Sequence, residues 1–135
     1  MKVVVDTNVL IAAFLTVGTS REVLDTALSR RIVYLSEYIL EEFQRTLLSR
    51  KFNFPRPVVD AFEGYLRHYA FLGEEGDSSK ISFSDPGDIK ILSLCLSVEA
   101  DFLITGDAAI LALKKIGDAR IILPAQFWKA TLDKK

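Results

Sequence analysis

Apolar and polar positions alternate along this chain in blocks whose period keeps changing. Residues 2–5 open with Val3, Val4 and Val5, a β-branched run that predicts a buried strand ending at Asp6. Residues 7–15 then carry Val9, Leu10, Ala13 and Phe14 at helical spacing. A second helix is expected to start at a Ser20 cap, with Glu22 in its first turn, and to run to about residue 29. Residues 31–35 read as the second strand. Ser36 caps a helix whose buried side holds Ile39, Leu40, Phe43, Leu47 and Leu48. After Pro55 and Pro57 a further helix reaches about residue 69, followed by a short strand near residues 70–72.

Residues 73–85 are polar and irregular, and form the one long loop. Asp85, Pro86, Gly87 and Asp88 start a helix that is apolar on almost every face to about residue 98, the pattern of a buried helix. Residues 102–104 form a strand ending in Thr105, Gly106 and Asp107. A short helix with Ile110, Leu111 and Leu113 follows, then a last strand at 120–123. Pro124 opens a terminal helix with Phe127 and Trp128.

Strands alternating with helices predict an α/β fold: a three-layer α/β/α domain around a mainly parallel sheet. The 135 residues fit a single domain. In such sheets the working cleft lies beyond the carboxyl ends of the strands. Asp6 and Asp107 both stand at that edge. Asp85 and Asp88 begin a helix that can face it, and Glu41 and Glu42 lie within reach of it.

Composition narrows the function. Half the residues are hydrophobic and the net charge is −1, so there is no overall nucleic-acid signature. No apolar run approaches the ~20 residues that cross a bilayer. The amino-terminal run reaches an acid too early for a signal peptide. The single Cys95 lies in an apolar run, reads as core, and fits a reducing cytoplasm. Charge is unevenly spread. Residues 74–107 hold eight acids against Lys80 and Lys90, whereas residues 44–56 hold Arg45, Arg50, Lys51 and Arg56 with no acid.

Gathered carboxylates need protons or a cation, because two bare charges 4 Å apart repel by about 4 kcal/mol at an effective dielectric near 20. Oxygen-only ligands select Mg²⁺ or Mn²⁺. One histidine and one cysteine exclude a His/Cys metal site. Such ions commonly act on phosphates. Each acid also has a plain structural reading. Asp6 and Asp107 can cap the helices that follow them. Asp85 before Pro86 reads first as an N-cap, and Asp88 as functional. Periodicity does not choose between Glu41 and Glu42. His68 reads as a helix-surface or interface residue, and Tyr65, Tyr69 and Phe71 as packing rather than base-stacking groups.

Three stretches together resemble the PIN-domain family: Val3 to Leu10 with its Asp6-Thr7-Asn8, Asp85-Pro86-Gly87-Asp88, and Leu103 to Asp107. The resemblance implies a Mg²⁺- or Mn²⁺-dependent ribonuclease, many relatives being VapBC-type toxins silenced by a cognate antitoxin. It implies Asp6, Glu42, Asp88 and Asp107 as metal-holding catalytic acids, choosing Glu42 by its distance from Ser36 and its place before Phe43. Thr7, Asn8, Asp85 and Thr105 would support them. Ala109 stands where many members carry a further acid, which leaves open how many ions bind.

Two other readings compete with this one. A haloacid-dehalogenase-type phosphatase needs an acid where Asn8 stands. A PIN fold that docks RNA or protein without cutting is the alternative. Arg45, Arg50, Lys51 and Arg56 are the expected RNA contacts. Phe127, Trp128 and the helix near residues 58–72 suggest apolar surface for a homodimer.

Overall fold

The computed structural model describes residues 1–133. Six strands form one sheet: β1 (Val3–Val5), β2 (Val33–Leu35), β3 (Phe71–Leu72), β4 (Phe102–Ile104), β5 (Lys115–Ile116) and β6 (Ala119–Ile122). Their order is β3-β2-β1-β4-β6-β5, with every pair parallel except β5–β6. The helices are α1 (Thr7–Leu15), α2 (Thr19–Ser29), α3 (Glu37–Leu48), α4 (Arg56–Tyr69), α5 (Pro86–Ser97), α6 (Ala108–Leu111) and α7 (Phe127–Asp133). A short 3₁₀ turn, Pro124–Gln126, joins β6 to α7. The architecture is the expected three-layer α/β/α sandwich.

β1 and β4 are buried on both faces, which is what a continuous Val/Ile/Leu run demands. Each such fully buried side chain contributes roughly 1.5–3 kcal/mol relative to exposure. From β1 the chain order proceeds outward through β2 and β3 on one side, and through β4 and β6 on the other. The β1–β4 junction is therefore the point where the winding reverses, and side chains just past these two strands share one crevice.

α3 is held by an aromatic cluster. Phe14 of α1 meets the edges of Phe43, Phe54 and Phe62 at centroid distances of 6.0, 4.9 and 5.2 Å. Phe43 is fully buried, so it fixes the rotation of α3 about its axis and with it the direction of Glu42.

Several expectations are corrected in detail. Ser20 lies inside α2; its N-cap is Gly18, which offers no side-chain oxygen. The second strand begins at Val33, because Arg31 takes a left-handed φ of 57° that breaks the extended run. The short β5 was not anticipated. It forms a hairpin with β6 through Gly117 and Asp118, with Gly117 at φ 59°. Phe127 is fully buried and offers no surface for association, whereas Trp128 is 39% exposed. Cys95 is buried and His68 exposed, as expected. Among the described residues no helix is long and apolar enough to cross a membrane.

Candidate active site

Asp6 is placed by the sheet itself. Its backbone amide donates to Ile104 O at 2.9 Å, extending the β1–β4 ladder one residue past β1. Its side chain then turns into a network of donors. Oδ1 accepts from the Thr7 amide at 2.7 Å; Oδ2 accepts from Thr105 Oγ1 at 2.7 Å and from Asn8 Nδ2 at 3.1 Å. Asn8 Oδ1 accepts the Gly106 amide at 3.0 Å, and Thr105 Oγ1 accepts the Asp107 amide at 3.0 Å. Asn8 and Thr105 therefore stitch the end of β1 to the end of β4, across nearly a hundred residues of sequence. Thr7 supports Asp6 through its backbone; its own hydroxyl is buried without a hydrogen-bond partner.

Asp107 caps α6, its Oδ1 accepting the Ile110 amide at 3.0 Å. Asp85 caps α5, its Oδ1 accepting the amides of Gly87 and Asp88 at 2.8 and 3.0 Å. The capping readings of both are thus correct, and for Asp107 capping and proximity to the other acids coexist.

α3 separates the two neighbouring glutamates. Glu41 is exposed and faces a hollow of about 550 Å³ shared with Gln44, Arg45 and Arg56. Glu42 is half-buried, and its Oε2 accepts the Tyr38 hydroxyl at 2.7 Å, one helical turn back. The same hydroxyl lies against Gly87, where any side chain would strike it. Lys90 Nζ stands 4.6 Å from the Tyr38 ring centroid, a cation–π contact. Tyr38 thus braces Glu42 against the start of α5. Sequence reasoning missed Tyr38 and Lys90; the i,i+4 spacing of Tyr38 and Glu42 was the available signal.

Electrostatics join the four acids. Asp88 is pushed up to about 6, first by burial, then by the charges of Asp85, Asp107, Asp6 and Glu42. Burial also raises Asp6; donation from Thr105 and Thr7 opposes this, and the Glu42 and Asp107 charges add to it. Burial and then the bond to Glu42 raise the Tyr38 hydroxyl well above its usual range.

A carboxylate offers about four acceptor positions. Asp6 uses three. Asp107 and Glu42 each commit one oxygen to a hydrogen bond, and the Asp88 carboxylate accepts none among the described residues. Every acid therefore retains free acceptor capacity, all of it oxygen, which suits a hard divalent ion. No group of three or more acidic, histidine or cysteine side chains among the described residues is already drawn together as a metal cage.

The basic residues are divided. Arg45 and Arg56 share the hollow beside Glu41, and the Arg45 charge also acts on Tyr38. Arg50 and Lys51 are exposed beyond α3 and do not line that hollow; Lys51 lies 5.3 Å from the Phe52 ring centroid.

Comparison with known proteins agrees with the geometry. A family model described as "PIN domain" matches residues 2–109, which include all four acids. No curated protein matches the chain in sequence. Among solved structures, a chain of the VapBC2 complex from Rickettsia felis, bound to a DNA fragment from their promoter, superposes with a TM-score of 0.64. It shares 15% identity, over 90% of this chain and 97% of that one, a likeness of fold.

Proposed function

Since the chain belongs to the PIN domain family, we propose that it is a divalent-metal-dependent ribonuclease hydrolysing RNA phosphodiester bonds. One observation carries this reading: Thr105 bonds both the Asp6 carboxylate and the Asp107 amide, and Tyr38 ties Glu42 to the α5 start that carries Asp88, so acids from four separate elements share one edge of the sheet, where burial and then their charges raise Asp88. Mutual repulsion of this kind costs stability, and a site that needs a cation is a physical reason to tolerate it.

Asp6, Glu42, Asp88 and Asp107 would hold Mg²⁺ or Mn²⁺. Such an ion, when bound, neutralises charge on the phosphoryl oxygens and lowers the pKa of the attacking water. The chain's own part is orientation. Thr105 and Asn8 both donate to Asp6 Oδ2, so the remaining acceptor direction of that carboxylate is set by the protein. Tyr38 does the same for Glu42. Because Asp6 is only 4% exposed, its charge acts in a poorly screened environment.

The likeness of fold to a chain of a VapBC2 complex supports a further part of the reading: the protein is the toxin of a toxin–antitoxin pair, and a cognate antitoxin covers the acidic cleft. Exposed Trp128, Val58 and Leu132 supply apolar surface for a homodimer, and a lone buried thiol suits the cytoplasm. A labelled single-stranded RNA incubated with Mn²⁺, and with Mn²⁺ plus EDTA, tests the enzymatic reading. Cleavage that stops with EDTA supports it. Binding without cleavage in any divalent ion would favour a non-catalytic RNA-docking module.

A further inference from the structure

A hollow of about 510 Å³ lies at the β5 end of the sheet, between β6 and α7. Buried Ile121 and Ile122 contribute an apolar floor, and Lys114, Arg120, Gln126 and Lys129 stand around it. Each basic residue arrives for a local reason. Lys114 leaves the α6 segment at a left-handed φ of 65°, and its carbonyl accepts the Ile121 amide at 2.9 Å. Arg120 is the exposed residue of β6 between buried Ala119 and Ile121, as strand alternation requires. Lys129 occupies an exposed position of α7 beside buried Ala130.

The polar chemistry of this rim is donation. Lysine and arginine side chains have donors and no acceptors. The Gln126 Oε1 is already committed, accepting the Leu123 amide at 2.8 Å, which leaves its NH₂ group to meet a ligand. Among the described residues no carboxylate lines the hollow. Among the described residues none of the three cations forms an ion pair; both ion pairs found involve Arg67. Three positive charges with no ion-pair partner among the described residues, Arg120 also lying 5.7 Å from the Phe102 ring centroid, stand over an apolar floor and fit an acceptor-only anion carried on a partly apolar body. A phosphate on a ribose is such a body, and the volume is that of a small-molecule site rather than of a bare oxyanion.

Position selects the source. β6 is the immediate neighbour of β4, about 5 Å away, and β4 leads directly into Thr105 and Asp107. The hollow reaches the carboxyl edge of the sheet at Ala125 and Gln126 and runs down its side to Arg120. The acid cluster repels a phosphate backbone, so a strand crossing it has to be held from beside it. Arg45 and Arg56 lie on the β2 side, on α3 and α4; this hollow lies on the other.

We propose that the Lys114–Arg120–Lys129 hollow binds the phosphodiester backbone of single-stranded RNA on the β6 side of the acid cluster, an inference that rests on the ribonuclease reading. The test is fluorescence anisotropy of a labelled RNA with Ca²⁺ in place of Mg²⁺, comparing the intact protein with an Arg120→Gln/Lys129→Gln double variant and with Lys114→Gln. Inorganic phosphate and an acidic peptide of matched charge are titrated in parallel, and melting temperatures check the fold.

The double variant should bind RNA about tenfold more weakly, and its slope of log affinity against log salt should be shallower by about 1.4, close to 0.7 per lost contact. The loss should be the same for different RNA sequences. Unchanged RNA affinity and slope would overturn the proposal. So would an acidic peptide that binds the intact protein more tightly than RNA and loses that advantage in the variants, or free phosphate that binds as tightly as RNA. If the intact protein cleaves RNA while the variants bind it normally, only the hollow's role fails. If the intact protein neither binds nor cleaves RNA, the ribonuclease reading fails and the hollow's role with it.

Discussion

The Tyr38 hydroxyl donates to Glu42 Oε2 at 2.7 Å while resting against Gly87, so one phenol ties an acid of α3 to the helix start that carries Asp88. Removing a group that orients a metal-ligating carboxylate typically costs about 10–100-fold in metal affinity or activity. Tyr38→Phe should lower cleavage by that order and shift the Mn²⁺ requirement upward, with little change in melting temperature. Gly87→Ala should do the same by displacing the phenol. Wild-type metal dependence in both variants would mean that the bond does not position Glu42.

Thr105→Val removes the hydroxyl that donates to Asp6 and accepts the Asp107 amide. The isosteric methyl preserves volume but leaves a buried carboxylate with one donor fewer and an amide unpaired, a cost of about 1–3 kcal/mol. Thermal melts should show this loss together with reduced cleavage. A melt identical to wild type would remove the claim that Thr105 stitches β1 to β4.

The raised pKa of Asp88 sets a pH dependence for the metal-free protein. An acid whose pKa rises on folding holds its proton more tightly in the native state. Its contribution to stability is therefore complete below the unfolded value of 3.8 and is lost as pH rises through about 6. Asp88→Asn removes the charge without removing a hydrogen bond. It should melt several degrees higher than wild type at pH 8 in EDTA, and no higher near pH 3.5. Mn²⁺ should stabilise the wild type more than the variant. An equal difference at both pH values would contradict the electrostatic account.

Asp85 has a separable role. Asp85→Asn keeps an oxygen for the amides of Gly87 and Asp88 and should preserve stability, whereas Asp85→Ala removes the cap and should cost about 1 kcal/mol. Equal stability of the two variants by denaturant titration would show that the cap contributes nothing.

Most of this architecture is legible in the sequence because its signals are local. Val3–Val5 ending in Asp6, and Phe102–Ile104 ending one turn before Asp107, mark the two central strands and the edge where their acids meet. Asp85 before Pro86 is a cap that a dipeptide announces. Tertiary facts were not legible. Helical spacing cannot separate Glu41 from Glu42; the buried phase of Phe43 and the bond from Tyr38 do. β5 escaped because two residues are too few for a period, although Gly117-Asp118 is itself a hairpin signal. Ser20 is a misleading cap because the chain enters α2 two residues earlier, through Gly18. Phe127 looked like surface beside Trp128, yet α7 turns it into the core.

The central claim is that four oriented carboxylates, with Asp6 at their base, perform the chemistry. It is tested most directly by the cleavage rate of one labelled single-stranded RNA in Mn²⁺, for wild type and Asp6→Asn at equal concentration and matched folded fraction. Asn at this position keeps the shape and the bond from Thr7, but it removes a full charge and sets its amide against that of Asn8. The account predicts cleavage by the wild type and a loss of at least about a hundredfold in the variant, the scale of removing one preorganised electrostatic group. Equal cleavage by the two proteins would contradict it.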